Sequence, residues 1–267
     1  MSSCHCRTPL ADHPVVNASN TTYGWSSENW SGYAISTNTQ GIYTSISATW
    51  CVPQVTPQNS STPQITDFWT WLADFLGFRN TCSSSNTYSA TWIGIDGFTN
   101  HQLIQVGTAQ NNVNGQPQYF AWWEVLPAPE VPLDTTQYPV VAGDQIEAKI
   151  AKQANGSWTI TLNNQTQRWS FEQKEIDYLG PQTSVEWIEE APTLNGELTT
   201  LADYGMVTFH SLLVNDQNPH LTPSEAGVLI QSGQWVSTPS TPSTRGDAFS
   251  VHYGDTPPSP PENPKNM

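Results

Sequence analysis

Apolar and polar residues alternate with a period of two along most of this chain, the signature of half-buried β-strands. Runs of this kind include GIYTSISATWCV at 41–52, QYFAWWEVL at 118–126, QIEAKIAKQ at 145–153 and SWTITLNN at 157–164. SVEWIEE at 184–190 and GMVTFHSLLV at 205–214 extend the series, and DAFSVHYG at 247–254 supplies a last strand. Asn-Gly pairs at 114–115, 155–156 and 195–196 mark turns, because both residues tolerate the positive φ that tight hairpins need. Many short strands between turn signals predict an all-β fold, a two-sheet antiparallel β-sandwich or a barrel. No linker interrupts the pattern, so a single domain over 23–254 is expected.

Some segments break the pattern. Residues 1–22 read as a loosely held arm and 255–267, rich in proline, as a disordered tail. Residues 53–90 form an insertion rich in Pro, Ser, Thr and Asn. Within it, DFWTWLADFLGF at 67–78 places Phe68, Trp69, Leu72, Phe75 and Leu76 on one face of a short helix capped by Asp67. This segment is expected beside the functional cleft. Residues 237–245 are a Pro/Ser/Thr-rich break.

Composition narrows the functional classes. The chain carries 23 acidic against 8 basic residues, a formal charge of −15, which repels a phosphate backbone and argues against nucleic-acid partners. No apolar run reaches membrane-spanning length. So few basic groups keep the protein from becoming strongly cationic near pH 4, which fits an acidic working medium. Its 12 Trp, 9 Tyr and 8 Phe supply large buried areas from few residues. Cys51 and Cys82 flank the insertion with no histidine at ligand spacing, so a disulfide is the expectation rather than a metal site. Cys4 and Cys6 have no assigned role. Six Asn-x-Ser/Thr sites, beginning at Asn17, point with the disulfide to a secreted protein. Residues 1–20 are too polar for a secretory leader, which is expected to have been removed.

The usual nucleophile, zinc-protease and phosphate-loop motifs are missing, and the histidines are scattered singly, which leaves carboxylates and amides to carry chemistry. Four stretches stand out: SENWSGYA at 27–34, ATWIGIDGFTNHQLIQVGT at 90–108, YFAWWEVLP at 119–127 and VEWIEEAPTLNGELTTLADYG at 185–205. In this order, and over about 29–209, they resemble the glutamic peptidase (eqolisin) family. The resemblance is nearer to its prokaryotic-type members than to the fungal ones, which have Tyr where Leu126 stands and lack the long insertion.

That resemblance implies a concanavalin A-like sandwich and an acid endopeptidase that needs no metal or organic cofactor. It places the catalytic glutamine on Gln105 and the catalytic glutamate on Glu190, with Trp92, Asp96, Trp122, Glu124 and Glu186 lining the substrate cleft. Protein or peptide substrates are the implied partners, and the chain is expected to act as a monomer.

The strand period supports the pairing. Glu186, Ile188 and Glu190 share one face of their strand, Trp187 and Glu189 the other, and a slip of one residue would exchange Glu190 for Glu189. Gln105 shares a face with Leu103. An ionised Glu190 can take a proton from water as the water attacks a carbonyl and, once protonated, deliver it to the departing amine, while the Gln105 amide donates to the oxygen where charge develops. Acting in acid would require hydrogen bonds that offset desolvation of Glu190.

Two rival readings share the architecture. A glycoside hydrolase is suggested by KEIDYLG at 174–180, but Gly180 stands where its second carboxylate belongs. A carbohydrate-binding module is suggested by the tryptophan-rich strands, although tryptophans on a sheet more often serve the core.

Overall fold

The computed structural model describes residues 23–56 and 86–262. The arm at 1–22, the 67–78 segment, Cys4, Cys6, Cys82 and residues 263–267 lie outside the described residues. Strands in chain order are β1 (Trp25–Ser27), β2 (Trp30–Ser36), β3 (Ser45–Cys51), β4 (Ala90–Ile95), β5 (Ile104–Val113), β6 (Gln116–Val125) and β7 (Val131–Pro132). They continue with β8 (Gln145–Lys152), β9 (Trp158–Asn164), β10 (Trp169–Ile176), β11 (Ser184–Glu190), β12 (Thr193–Leu194) and β13 (Glu197–Leu198). The last four are β14 (Met206–Val214), β15 (Ala226–Gln231), β16 (Gln234–Pro239) and β17 (Phe249–Tyr253). A 3-10 turn at Pro223–Glu225 is the one helical element among the described residues.

Hydrogen bonding joins the strands in the order β10-β9-β8-β3-β14-β17-β16-β15-β2-β11-β4-β5-β6-β7, with β1 added in parallel to β15 and β12–β13 forming a separate ribbon. All pairings except β1–β15 are antiparallel. This long sheet folds back on itself, so β3, β8 and β9 lie against β4 and β5. The result is a two-layer sandwich, as the alternation predicts. The inner faces meet in one core, where Ile93, Ile95, Ile104, Val106, Val185 and Trp187 face Ile46, Trp50, Ile146, Ile150, Trp158 and Ile160, all essentially unexposed. Burying a side chain of this size stabilises the fold by roughly 1.5–3 kcal/mol.

The Asn-Gly turns sit where expected. Asn114 and Gly115 (φ 55° and 73°) close the β5–β6 hairpin, and Asn195 and Gly196 (φ 54° and 87°) close β12–β13. Both residues take the positive φ of a mirror-image two-residue turn, which matches the strands' twist. The 237–245 break is partly a strand, since β16 runs to Pro239. From Asp255 to Glu262 the chain has neither helix nor strand.

Cys51 ends β3 as an exposed free thiol. The structure therefore does not support the expected Cys51–Cys82 bridge, whose other half lies outside the described residues.

One carboxylate fastens the turn after β4 to the segment entering β11. Asp96 is fully buried with φ 68°, in the left-handed region. It accepts hydrogen bonds from the Tyr178 hydroxyl at 2.6 Å, the Gln182 and Thr183 amides at 2.8 Å each, the Asn100 side-chain amide at 3.0 Å and the Thr183 hydroxyl at 3.2 Å. Asp96→Ala would leave these donors buried without an acceptor. We expect it to cost on the order of 3 kcal/mol or more in denaturant unfolding. A loss under about 1 kcal/mol would show that this hub does not hold the two segments together.

Candidate active site

Strand register arranges the outer face of β2–β11–β4–β5–β6 into cross-strand rows. One row runs Ala34, Glu186, Gly94, Gln105, Glu124; the next runs Gly32, Ile188, Trp92, Gly107, Trp122; the third runs Trp30, Glu190, Ala90, Ala109, Phe120. Gln105 and Glu190 thus share a face, with the tryptophan row between theirs. Gly107 makes that row possible. A Cβ there would lie 2.4 Å from the Thr91 carbonyl oxygen and 2.6 Å from the Trp92 Cβ, so any side chain would displace Trp92.

The polar groups of this face are buried and partly unsatisfied. Gln105 Nε2 donates to Glu124 Oε2 at 2.6 Å. An amide nitrogen carries two hydrogens, so one remains for another acceptor, and Gln105 Oε1 is buried with no hydrogen-bond partner. Trp122 Nε1 is a buried donor in the same condition. Such orphans are costly in a fold and collect where a ligand completes them.

Glu190 is 6% exposed and receives the Trp92 indole N–H at 2.8 Å and the Asn29 side-chain amide at 3.4 Å. Trp92 is held edge-on against Trp30, with ring centroids 5.0 Å apart. Burial pushes the Glu190 carboxyl up to about 8; the bonds from Trp92 and Asn29 pull it down, while the charge of Glu124 raises it further. The hydrogen bonds expected to keep Glu190 ionised in acid are present, but burial outweighs them.

The neighbouring glutamates fall where the strand period sends them. Glu189 points to the inner face, where Thr91 Oγ1 donates to it at 2.6 Å and Gln110 Nε2 at 3.3 Å. Burial raises it to about 7 despite these bonds. Glu186 shares the face of Glu190 but is fully buried, and neither of its oxygens has a well-formed hydrogen bond. Burial holds its carboxyl well above the usual range; Ser184 opposes this most, the charge of Asp96 adds to the rise and the Phe98 amide opposes it. Asp96, expected in the cleft, is engaged by its own chain.

One group was missed in the sequence. Glu130, in the LPAPEVP loop between β6 and β7, is half-buried. Burial lifts its carboxyl to about 8, with further rises from Glu124 and Glu190. Its signal was a lone carboxylate within a proline-rich turn directly after the Ala-Trp-x-Glu strand.

Elsewhere, Lys174, Glu175 and Asp177 of the glucanase-like segment are exposed at the end of edge strand β10. A groove of about 680 Å³ lies on the other side of β6, lined by Trp123, Val125, Ile176 and Leu179. It is mainly apolar and holds none of the outer-face carboxyls. Among the described residues no cluster of three or more His, Cys, Asp or Glu has the geometry to hold a metal ion.

Comparison with known proteins identifies the fold and the family. The fold matches scytalido-glutamic peptidase crystallised with a transition-state analogue inhibitor, at a TM-score of 0.62 and 20% identity over 85% of this chain and 98% of that one. It matches SCP-B, an eqolisin bound to the tripeptide Ala-Ile-His, at 0.58 and 21% over the same shares. Aspergilloglutamic peptidase from Aspergillus niger matches at 0.52 and 24%, over 62% of this chain and 99% of that one. No curated protein sequence is similar enough to match. The pattern defining the peptidase A4 family covers residues 28–253, nearly the whole described domain, and the chain belongs to that family as a glutamic peptidase.

Proposed function

We propose that this peptidase is an acid endopeptidase in which Glu190 activates water and Gln105 stabilises the oxyanion. The observation that carries the reading is the shared face: Glu190 is held by Trp92 and Asn29, and Gln105 keeps a spare N–H and an unpartnered carbonyl oxygen. The ionised Glu190 takes a proton from water, and the water oxygen attacks the scissile carbonyl. The spare Gln105 N–H meets the oxygen where negative charge grows, and Gln105 Oε1 accepts a hydrogen from the attacking water. Glu190, now protonated, delivers its proton to the departing amine.

The charge of Glu124 raises the proton affinity of Glu190, and Glu124 and Glu190 together raise that of Glu130. Service as a base in acid therefore requires substrate and water contacts that favour the ionised form of Glu190. Trp92, Trp122 and Glu124 are proposed to line the substrate cleft, whereas Asp96 and Glu186 act as positioning residues beneath it. The low count of basic groups supports work in an acidic medium.

Glu190→Gln should abolish hydrolysis of denatured protein at pH 3–4 with the fold intact by circular dichroism. Gln105→Ala should cost on the order of a hundred- to a thousand-fold in kcat. Glu189→Gln should alter stability but spare turnover, because its side chain faces the opposite side. The reverse pattern, with Glu189→Gln inactive and Glu190→Gln active, would overturn the assignment.

Stability should fall as pH rises. Glu130, Glu186, Glu189 and Glu190 all have raised carboxyl pKa values in the fold, against about 4.3 in an unfolded chain. The folded state therefore binds more protons between about pH 4.5 and 8. The stabilisation is complete below about pH 4.5 and is lost through that window, at up to about 1.4 kcal/mol per pH unit for each fully buried group. Thermal melts from pH 3 to 8 should show the highest Tm at the acidic end, and a Tm that climbs toward neutrality would contradict this.

A further inference from the structure

We propose that Ser27 and Asn29 form a positioning pair for Glu190, a side-chain amide locked in one orientation that holds the carboxylate in its working pose. The inference rests on the Gln105–Glu190 reading above and adds to it the group that orients the base.

The lock follows from a count of hydrogens. Ser27 ends β1, and its hydroxyl oxygen accepts the backbone amides of Asn29 at 3.2 Å and Trp30 at 3.1 Å. A hydroxyl oxygen has two lone pairs, so both are taken and its one hydrogen must go to an acceptor. That acceptor is Asn29 Oδ1, at 2.7 Å. An amide whose oxygen is bound at one end presents its NH2 at the other, and Asn29 Nδ2 donates to Glu190 Oε1 at 3.4 Å. The flipped amide would set its NH2 against a hydroxyl with no lone pair free, and its oxygen against a carboxylate. Ser27 and Asn29 are 4% and 7% exposed, so bulk water offers little substitute for these contacts.

Asn29 also holds the backbone beside Glu190. Its carbonyl accepts the Ala191 amide at 2.8 Å, and Trp30 stands opposite Glu190 in the β2–β11 register. Trp92 from β4 donates to the other carboxylate oxygen, Oε2, at 2.8 Å. Each oxygen thus gives one lone pair to a fixed donor, and the two donors from different segments keep the carboxylate from turning. A proton taken from water must settle on a lone pair that Asn29 and Trp92 leave open. The Asn29 contact is long in the free enzyme. Bonds to an ionised oxygen are shorter, so it tightens as Glu190 takes up its charge.

The titratable surroundings are few. Glu124 of β6 acts on Glu190 by its charge, and Glu130 of the β6–β7 loop feels Glu190 in turn. Glu189 faces the other side of β11, and Glu28, beside Asn29 in the chain, is exposed. Trp30 from β2 and Trp92 from β4 do not titrate. Neither does Asn29: an amide stays a donor at every working pH, as a histidine or a carboxyl would not. Its donation favours the ionised form of Glu190, so removing it raises the pH at which the base is lost to protonation.

The test reads the acid limb of kcat on a peptide substrate, from about pH 2 to 7. Asn29→Leu keeps the size of the side chain and removes the donor, and its limb should move to higher pH by about one unit. Ser27→Ala frees the amide to flip and should move the limb the same way by less, whereas Ser27→Thr keeps the hydroxyl and should restore it. A purely structural role would lower kcat by one factor at every pH, or lower the Tm with the limb unmoved. Either result in both Asn29→Leu and Ser27→Ala would overturn the proposal. If Asn29→Leu does not fold, Ser27→Ala against Ser27→Thr decides alone. Glu190→Gln separates the two readings. Inactive at every pH, it leaves the base assignment standing even where the other limbs stay put; retained turnover would remove the base, and this role with it.

Discussion

The register of β11 between β2 and β4 is the constraint on which the site depends. All seven of its residues are buried, so both of its faces are specified and no slip is tolerated. Moving the strand by one residue would turn Trp187 and Val185 outward and drive Glu186 and Glu190 into the inner core. Two carboxyls driven inward make that alternative very costly, since the inner face offers polar partners only around Glu189. The tryptophan row depends on the same register. Trp92 stands opposite Ile188 and Gly107, and from there its indole reaches Glu190.

Much of this was legible in the sequence because period-two alternation is a local property. The strand predicted over 184–190 has those bounds, and the faces assigned to Glu186, Glu189 and Glu190 agree with their contacts. Gln105 and Leu103 share the outer face, as the alternation required. The hairpin turns were readable from their Asn-Gly pairs. What escaped was non-local. No pattern within a strand tells how many hydrogen bonds a turn carboxylate collects from elsewhere, so Asp96 resembled a cleft residue although Tyr178 and the Gln182–Thr183 backbone saturate it. Glu130 escaped because a half-buried loop residue has no periodicity. The balance at Glu190 escaped because hydrogen-bond donors can be guessed from a motif, but the depth of burial that opposes them cannot.

The scarcity of basic residues bears on chemistry as well as solubility. An Arg or Lys among the outer-face carboxyls would favour their charged forms, and each would give up its proton at an ordinary acidic pKa. The cluster would then hold bases but no acid. The three ion pairs found among the described residues, Lys149–Asp216, Lys174–Glu172 and Arg245–Asp247, leave these glutamates untouched. Neutral donors occupy their surroundings instead: the indole of Trp92 and the side-chain amides of Asn29 and Gln105. Such groups orient a carboxyl in either protonation state without forcing ionisation.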